Sequence, residues 1–188
     1  MSTNAIDLRR GQVFEHKGDL NVVVGVEHIT PGNWRGICQI KLKNLRTGAV
    51  VQERFRPQDK VELVFVEKKE MEYLYKDNSN YFFMDLETYE QTPLDEETIG
   101  DDAKWLVPNT QVQVELYDGK IIAVNLPDTM EFDVKETDPA VKGQTATNQY
   151  KPAILENGEK VMVPPFISQG ERIRVDIRNA KYLERAKS

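Results

Sequence analysis

Hydrophobic and polar positions alternate along most of the chain in short runs, with the two-residue period of half-buried strands. Such runs occupy Val13-Phe14, Leu20 to Val26, Cys38 to Leu42 and Val50 to Phe55. They continue through Glu72 to Tyr75, Tyr81 to Asp85, Gln111 to Leu116 and Ile121 to Leu126. The rhythm resumes at Lys160 to Val163, Arg172 to Asp176 and Tyr182-Leu183. Lys17-Gly18-Asp19, Thr47-Gly48, Asp118-Gly119 and Asn157-Gly158 carry the residues of tight hairpin turns. One helical stretch is predicted, opening at Asp95-Glu96-Glu97 and leading toward Ala103-Lys104-Trp105-Leu106. Many short strands with little helix predict an all-β chain of small barrels or sandwiches.

A weak internal echo points the same way. Leu116-Tyr-Asp-Gly119-Lys-Ile-Ile122-Ala-Val124 resembles Leu155-Glu-Asn-Gly158-Glu-Lys-Val161-Met-Val163 at a spacing of 39 residues. Two related hairpins in successive barrels would produce it, and so would any two hairpins that share a glycine turn.

With 188 residues the chain can hold one large domain or two to three small ones. Its net charge of −6 argues against a protein that binds nucleic acid or membrane by bulk electrostatics. The charge is unevenly spread. Residues 1–63 carry +3, residues 64–128 carry −10 and residues 129–188 carry +1. Two mildly cationic ends around an anionic centre suit contact with RNA at the ends, although acidic surface also simply aids solubility. Cys38 is the single cysteine, so an internal disulfide is excluded and a reducing, cytoplasmic setting is expected. No run approaches the length of a membrane span, and the first residues lack a secretory pattern.

Catalytic motifs are missing: no phosphate-binding glycine loop, nucleophile elbow or zinc-protease helix is found. No cofactor and no metal are expected, since the only histidines are His16 and His28. His28 has no nucleophile at a recognisable spacing, and Cys38 lies in the apolar alternation of a packing residue. The acidic group Asp95, Glu96, Glu97, Asp101 and Asp102 lacks the alternating oxygens of a calcium loop and reads as solvated surface.

One segment differs from ordinary surface. Pro31-Gly32-Asn33-Trp34-Arg35-Gly36 separates two strand-like runs and sets Trp34 beside a cation near a hairpin tip. Trp34 there either stacks on a base or sugar while Arg35 meets phosphate, or folds back as a lid on its own barrel. Lys41, Lys43 and Arg46 follow on the next strand and Arg54 and Arg56 on the one after, a spacing that predicts a basic stripe on one face.

Longer motifs then carry a resemblance. Lys41-Leu-Lys-Asn-Leu-Arg-Thr-Gly48 with Glu53-Arg-Phe-Arg56, and Tyr73-Leu-Tyr75-Lys-Asp77 with the segment from Tyr81 to Gln91, occur in order. Thr137-Asp-Pro-Ala-Val-Lys-Gly143 follows, then Lys151, Ala153, Gly158, Val161, Val163, Pro164, Ile167 and Gly170, and lastly Tyr182-Leu-Glu-Arg-Ala186. Along nearly its full length the chain resembles the bacterial elongation factor P family. The resemblance implies an N-terminal SH3-like (KOW-type) barrel over 1–63, an acidic OB domain over 64–128 and a C-terminal OB domain over 129–188, in an L shape similar to tRNA.

It further implies a monomeric, non-enzymatic factor that binds the 70S ribosome between the P and E sites. There the factor would stabilise peptidyl-tRNA and promote peptide bond formation at polyproline stalls. Pro31, Gly32, Asn33, Trp34 and Arg35 would approach the CCA end of the P-site tRNA. Lys41, Lys43, Arg46, Arg54 and Arg56 would meet tRNA and rRNA backbone. Gly143, Gln144 and Thr145 would face the small subunit and the E-site mRNA codon, and Tyr182 and Arg185 would touch RNA near the C-terminus. An alternative is an OB-fold RNA-binding protein that acts off the ribosome.

The tip departs from the family pattern, in which a modified Lys or Arg follows Pro-Gly. Asn33 occupies that position here and cannot accept such an extension. Either the loop works unmodified, which is the expected state, or it bulges so that Arg35 substitutes. Gln144 likewise replaces the usual shorter Asp or Asn. Given the whole-chain charge, free RNA is expected to bind weakly.

Overall fold

A computed structural model describes residues 1–30, 32, 36–140 and 149–187, which form three antiparallel sheets in series. The first contains β1 (Ser2–Asn4), β2 (Val13–His16), β3 (Asp19–Ile29), β4 (Ile37–Asn44), β5 (Val50–Phe55) and β6 (Lys60–Val64), in the order β1-β6-β2-β3-β4-β5. The second contains β7 (Glu67–Asp77), β8 (Asn80–Asp85), β9 (Gln91–Asp95), β10 (Gln111–Tyr117) and β11 (Lys120–Asn125). Between β9 and β10 lie α1 (Glu96–Ile99) and a 3-10 helix over Gly100–Trp105. The third contains β12 (Thr129–Thr137), β13 (Lys151–Leu155), β14 (Lys160–Val163), β15 (Arg172–Asp176) and β16 (Lys181–Arg185). The all-β expectation holds.

The second and third sheets share one topology. Their orders are β11-β10-β7-β8-β9 and β14-β13-β12-β15-β16. In each, the first strand is central and pairs with the second and the fourth, with the third and fifth at the edges. The sequence echo does not follow that equivalence. It matches the fourth–fifth hairpin of the second sheet to the second–third hairpin of the third. The common architecture is therefore real, while the echo reflects only two glycine turns.

Some strands are not announced by the pattern. β9 contains Pro93, which removes a ladder donor; the position is tolerated because β9 is an edge strand, with Pro93 opposite Phe82. β12 alternates cleanly in the structure, with Met130, Phe132 and Val134 all buried. The predicted helical stretch starts where expected, because the Asp95 side chain accepts from the Thr98 N–H at 2.8 Å. It becomes only one helical turn followed by the 3-10 segment.

Two cores hold these sheets. In the first, Ala5, Leu8, Phe14, Val23, Cys38, Ile40, Leu42 and Val61 pack together. Phe14 meets Phe55 edge-on with ring centres 6.0 Å apart. Cys38 is a packing residue there, and burial pushes its thiol pKa up. The second and third sheets share one continuous core. At its middle Trp105, from the 3-10 segment, meets Phe132 of β12 at 5.7 Å.

Candidate functional site

The hairpin of β3 and β4 leads to the segment that the sequence singles out. Its last register pair is Ile29 with Ile37, and β3 is 11 residues long. Gly32 is exposed with φ +54°, and His28 near the end of β3 and Thr30 just after it are exposed. Pro31, Asn33, Trp34 and Arg35 lie outside the described residues, as do Gly143, Gln144 and Thr145.

The basic residues separate into two groups. Register sets Lys41 opposite Gln52, Lys43 opposite Val50 and Gln39 opposite Arg54, so Lys41, Lys43 and Arg54 share one face of the β4–β5 pair. A Gln39–Gln52 hydrogen bond of 2.6 Å ties that face together. Lys41, Arg54 and Arg56 are exposed and have no acidic partner among the described residues. Lys43 instead has Glu97 of α1 at 3.9 Å. Arg46 sits in the β4–β5 turn and is held by Asp19.

Lys43 marks one wall of a cleft of about 620 Å³ between the first sheet and α1. Arg10, Lys41 and Lys43 line it on one side and Glu96, Glu97 and Asp101 on the other. The acidic middle of the chain thus stands beside part of the basic face.

Arg10 passes from this cleft into the second domain, which periodicity gives no hint of. Its guanidinium donates to the carbonyls of Thr98, at 3.4 Å, and Ile99, at the end of α1. Desolvation lowers its pKa, with Asp102 and Asp101 pulling the other way. Close by, Glu115 is 5% exposed and its Oε2 has no hydrogen-bond partner. Burial pushes the Glu115 carboxyl above the ordinary range, against the opposing pull of Lys68, Asn125 and Arg10.

The joint between the second and third sheets also carries a clamp. Arg178 donates to Asp102, at 2.6 Å, to Asp128, at 2.9 Å, and to the Leu126 carbonyl, at 3.0 Å. At the far end, Arg185 pairs with Glu171 at 2.8 Å and lies over the Phe166 ring at 4.9 Å. Tyr182 is half-buried against the shared core, where desolvation raises its pKa. Among the described residues no group of three or more His, Cys, Asp or Glu could hold a metal ion. No helix among them is long and apolar enough to cross a membrane.

Comparison with known proteins covers the chain from end to end. Residues 4–61 match the model described as "Elongation factor P (EF-P) KOW-like domain". Residues 66–124 match "Elongation factor P (EF-P) OB domain", and residues 130–185 match "Elongation factor P, C-terminal". The chain is 46% identical over 186 residues to an elongation factor P of Acidobacterium capsulatum, covering 99% of this chain and 100% of that one. Identity is 48% to the elongation factor P of Parvibaculum lavamentivorans, over the same shares of both chains. With the protein of that name from Gemmatimonas aurantiaca it is 43%, over 100% of both. An all-β chain with a KOW-like first barrel, an OB domain and the family's C-terminal region, matched over its whole length, belongs to the elongation factor P family and is a translation elongation factor.

Proposed function

We propose that this factor binds the ribosome between the P and E sites and promotes peptide bond formation at polyproline stalls by steadying the end of the peptidyl-tRNA. The ordered series of family matches, over residues 4–61, 66–124 and 130–185, carries this reading. In it the three domains are 1–63, 64–128 and 129–188. In this reading Pro31, Gly32, Asn33, Trp34 and Arg35, between β3 and β4 in sequence, meet the CCA end, with Asn33 unmodified, Trp34 stacking and Arg35 supplying charge.

Of the basic-face cations, Lys41, Arg54 and Arg56 are exposed and have no acidic partner among the described residues, which suits them to meet tRNA or rRNA phosphates. Lys43 and Arg46 join them only by leaving Glu97 and Asp19. Gly143, Gln144 and Thr145 face the E-site codon, and Tyr182 and Arg185 meet RNA near the C-terminus. The protein is a cytoplasmic monomer and not an enzyme. Proline is a poor participant in peptide transfer because its ring locks φ. Holding the reacting ends in a near-attack geometry lowers the barrier with no acid or base from the factor.

Reconstituted translation of a template encoding consecutive prolines tests this. Added protein should speed synthesis through the proline run and leave a proline-free control unchanged. Equal rates with and without the factor would overturn the reading. Trp34→Ala and Arg35→Ala should each reduce the gain, and the intact mass from native cells should equal that of the sequence apart from Met1.

A further inference from the structure

The joint between the first and second domains is a reciprocal exchange of side chains. Arg10 leaves the first domain and lies over Gly100 of the second, with its guanidinium on the carbonyls of Thr98 and Ile99. Glu115 leaves the second domain and lies over Gly11, the residue next to Arg10. A Cβ at Gly100 would collide with the Arg10 guanidinium, and a Cβ at Gly11 would collide with the Glu115 carboxylate. Both glycines also have positive φ, +81° and +89°, so their backbones suit no other residue well.

Each visiting side chain meets a pinned backbone. The Gly11 N–H donates to the Val23 carbonyl at 2.8 Å, and the Val23 N–H donates to Gln12 at 2.8 Å. On the other side α1 is fixed at its start by Asp95. Glu115 itself points away from the second core. Its neighbours Val112 and Val114 fill that core, and a bulge between Glu115 and Leu116 re-aims the strand. Glu115 is nonetheless buried because the first domain covers it. Two arms running in opposite directions, from adjacent residues on one side to separate elements on the other, restrict rotation as well as separation.

We propose that Arg10 and Glu115, seated over Gly100 and Gly11, are positioning residues that set the angle at which the first domain and its β3–β4 hairpin are carried on the rest of the chain. The inference goes beyond the ribosomal reading and holds whichever partner the hairpin meets.

Residual dipolar couplings of the full-length protein provide the test, because they report domain orientation separately from domain integrity. In the wild type, all three domains should fit one alignment tensor. Arg10→Ala and Glu115→Ala should each shrink the couplings of the first domain relative to the other two, while every domain keeps its amide dispersion. Glu115→Gln fills the same space and should retain the common tensor. The double alanine variant should be at least as loose as the looser single one, since the arm left in each single variant still holds the joint. A common tensor in both alanine variants would overturn the proposal. Arg10→Met keeps the stem without the donors and decides the matter if an alanine variant does not fold: a common tensor in it is equally fatal. A failure of the polyproline assay would leave these couplings unchanged, so the two readings stand or fall separately.

Discussion

Arg46 grips Asp19 across two hairpin turns, donating from Nε to Oδ1 at 2.8 Å and from Nη2 to Oδ2 at 2.7 Å. Asn44 adds a bond of 2.9 Å to Oδ2. Together these bonds, Arg46 first, hold the Asp19 carboxyl down at about 2. A carboxyl depressed in the folded state stabilises the fold above its ordinary pKa, and that contribution is lost as pH falls toward the folded value. Arg46→Ala should therefore raise the Asp19 pKa toward the ordinary 3.8 in an NMR titration. Acid unfolding between pH 4 and pH 2 should become less steep by the same change.

That grip also ranks the cations of the basic face. A side chain already paired must give up its partner to reach a phosphate, whereas an unpaired one gives up only water and counterions. Lys41→Ala or Arg54→Ala should weaken ribosome binding more than Arg46→Ala does. Each lost phosphate contact should lower the slope of log affinity against log salt by about one. Sedimentation binding at several salt concentrations would measure both quantities. Equal losses at Lys41 and Arg46 would mean that the Asp19 pair does not persist in the complex.

Glu115 makes the opposite pH statement to Asp19. Burial raises its pKa, so the folded chain holds the proton more tightly than the unfolded chain. Stability is then lost as pH rises from the ordinary carboxylate range through the folded value. Glu115→Gln removes that loss while keeping the shape beside Gly11. The variant should gain stability over the wild type at pH 8, and the gain should shrink at pH 4, as read by urea unfolding at the two pH values.

Trp105 should be the most costly single truncation in the second half of the chain. It is 2% exposed and stacks at a tilt on Phe132 where two sheets share a core. Trp105→Ala should destabilise that unit by roughly 3–5 kcal/mol, the usual range for a buried aromatic cut to alanine. Urea unfolding followed by circular dichroism would show it, with the first domain's transition unmoved.

The parts of this fold that the sequence made legible are those where one strand face meets its own core. Cys38, Ile40 and Leu42 alternate inward on β4, and Asp95 announces the helix start. β9 was hidden by Pro93, which only an edge position excuses. The outward positions Lys41 and Arg54 were equally readable, since their exposure follows from the same alternation. What could not be read was contact between domains. By its own strand Glu115 is an outward, solvated acid, and Arg10 is an unremarkable cation before a glycine. Their burial comes from surfaces distant in sequence, and Lys43 finds Glu97 for the same reason.

The core running through Trp105 and Phe132 has a consequence for cooperativity. A chain with three sheets would unfold in three steps if each sheet had its own interior. Here the second and third have one interior between them, while the first has its own. Heat should therefore take the molecule apart in two transitions, the larger belonging to the second and third domains melting together. A fragment cut near Pro127 would expose apolar surface on both sides of the cut, whereas one cut between Val64 and Glu67 would leave both interiors whole.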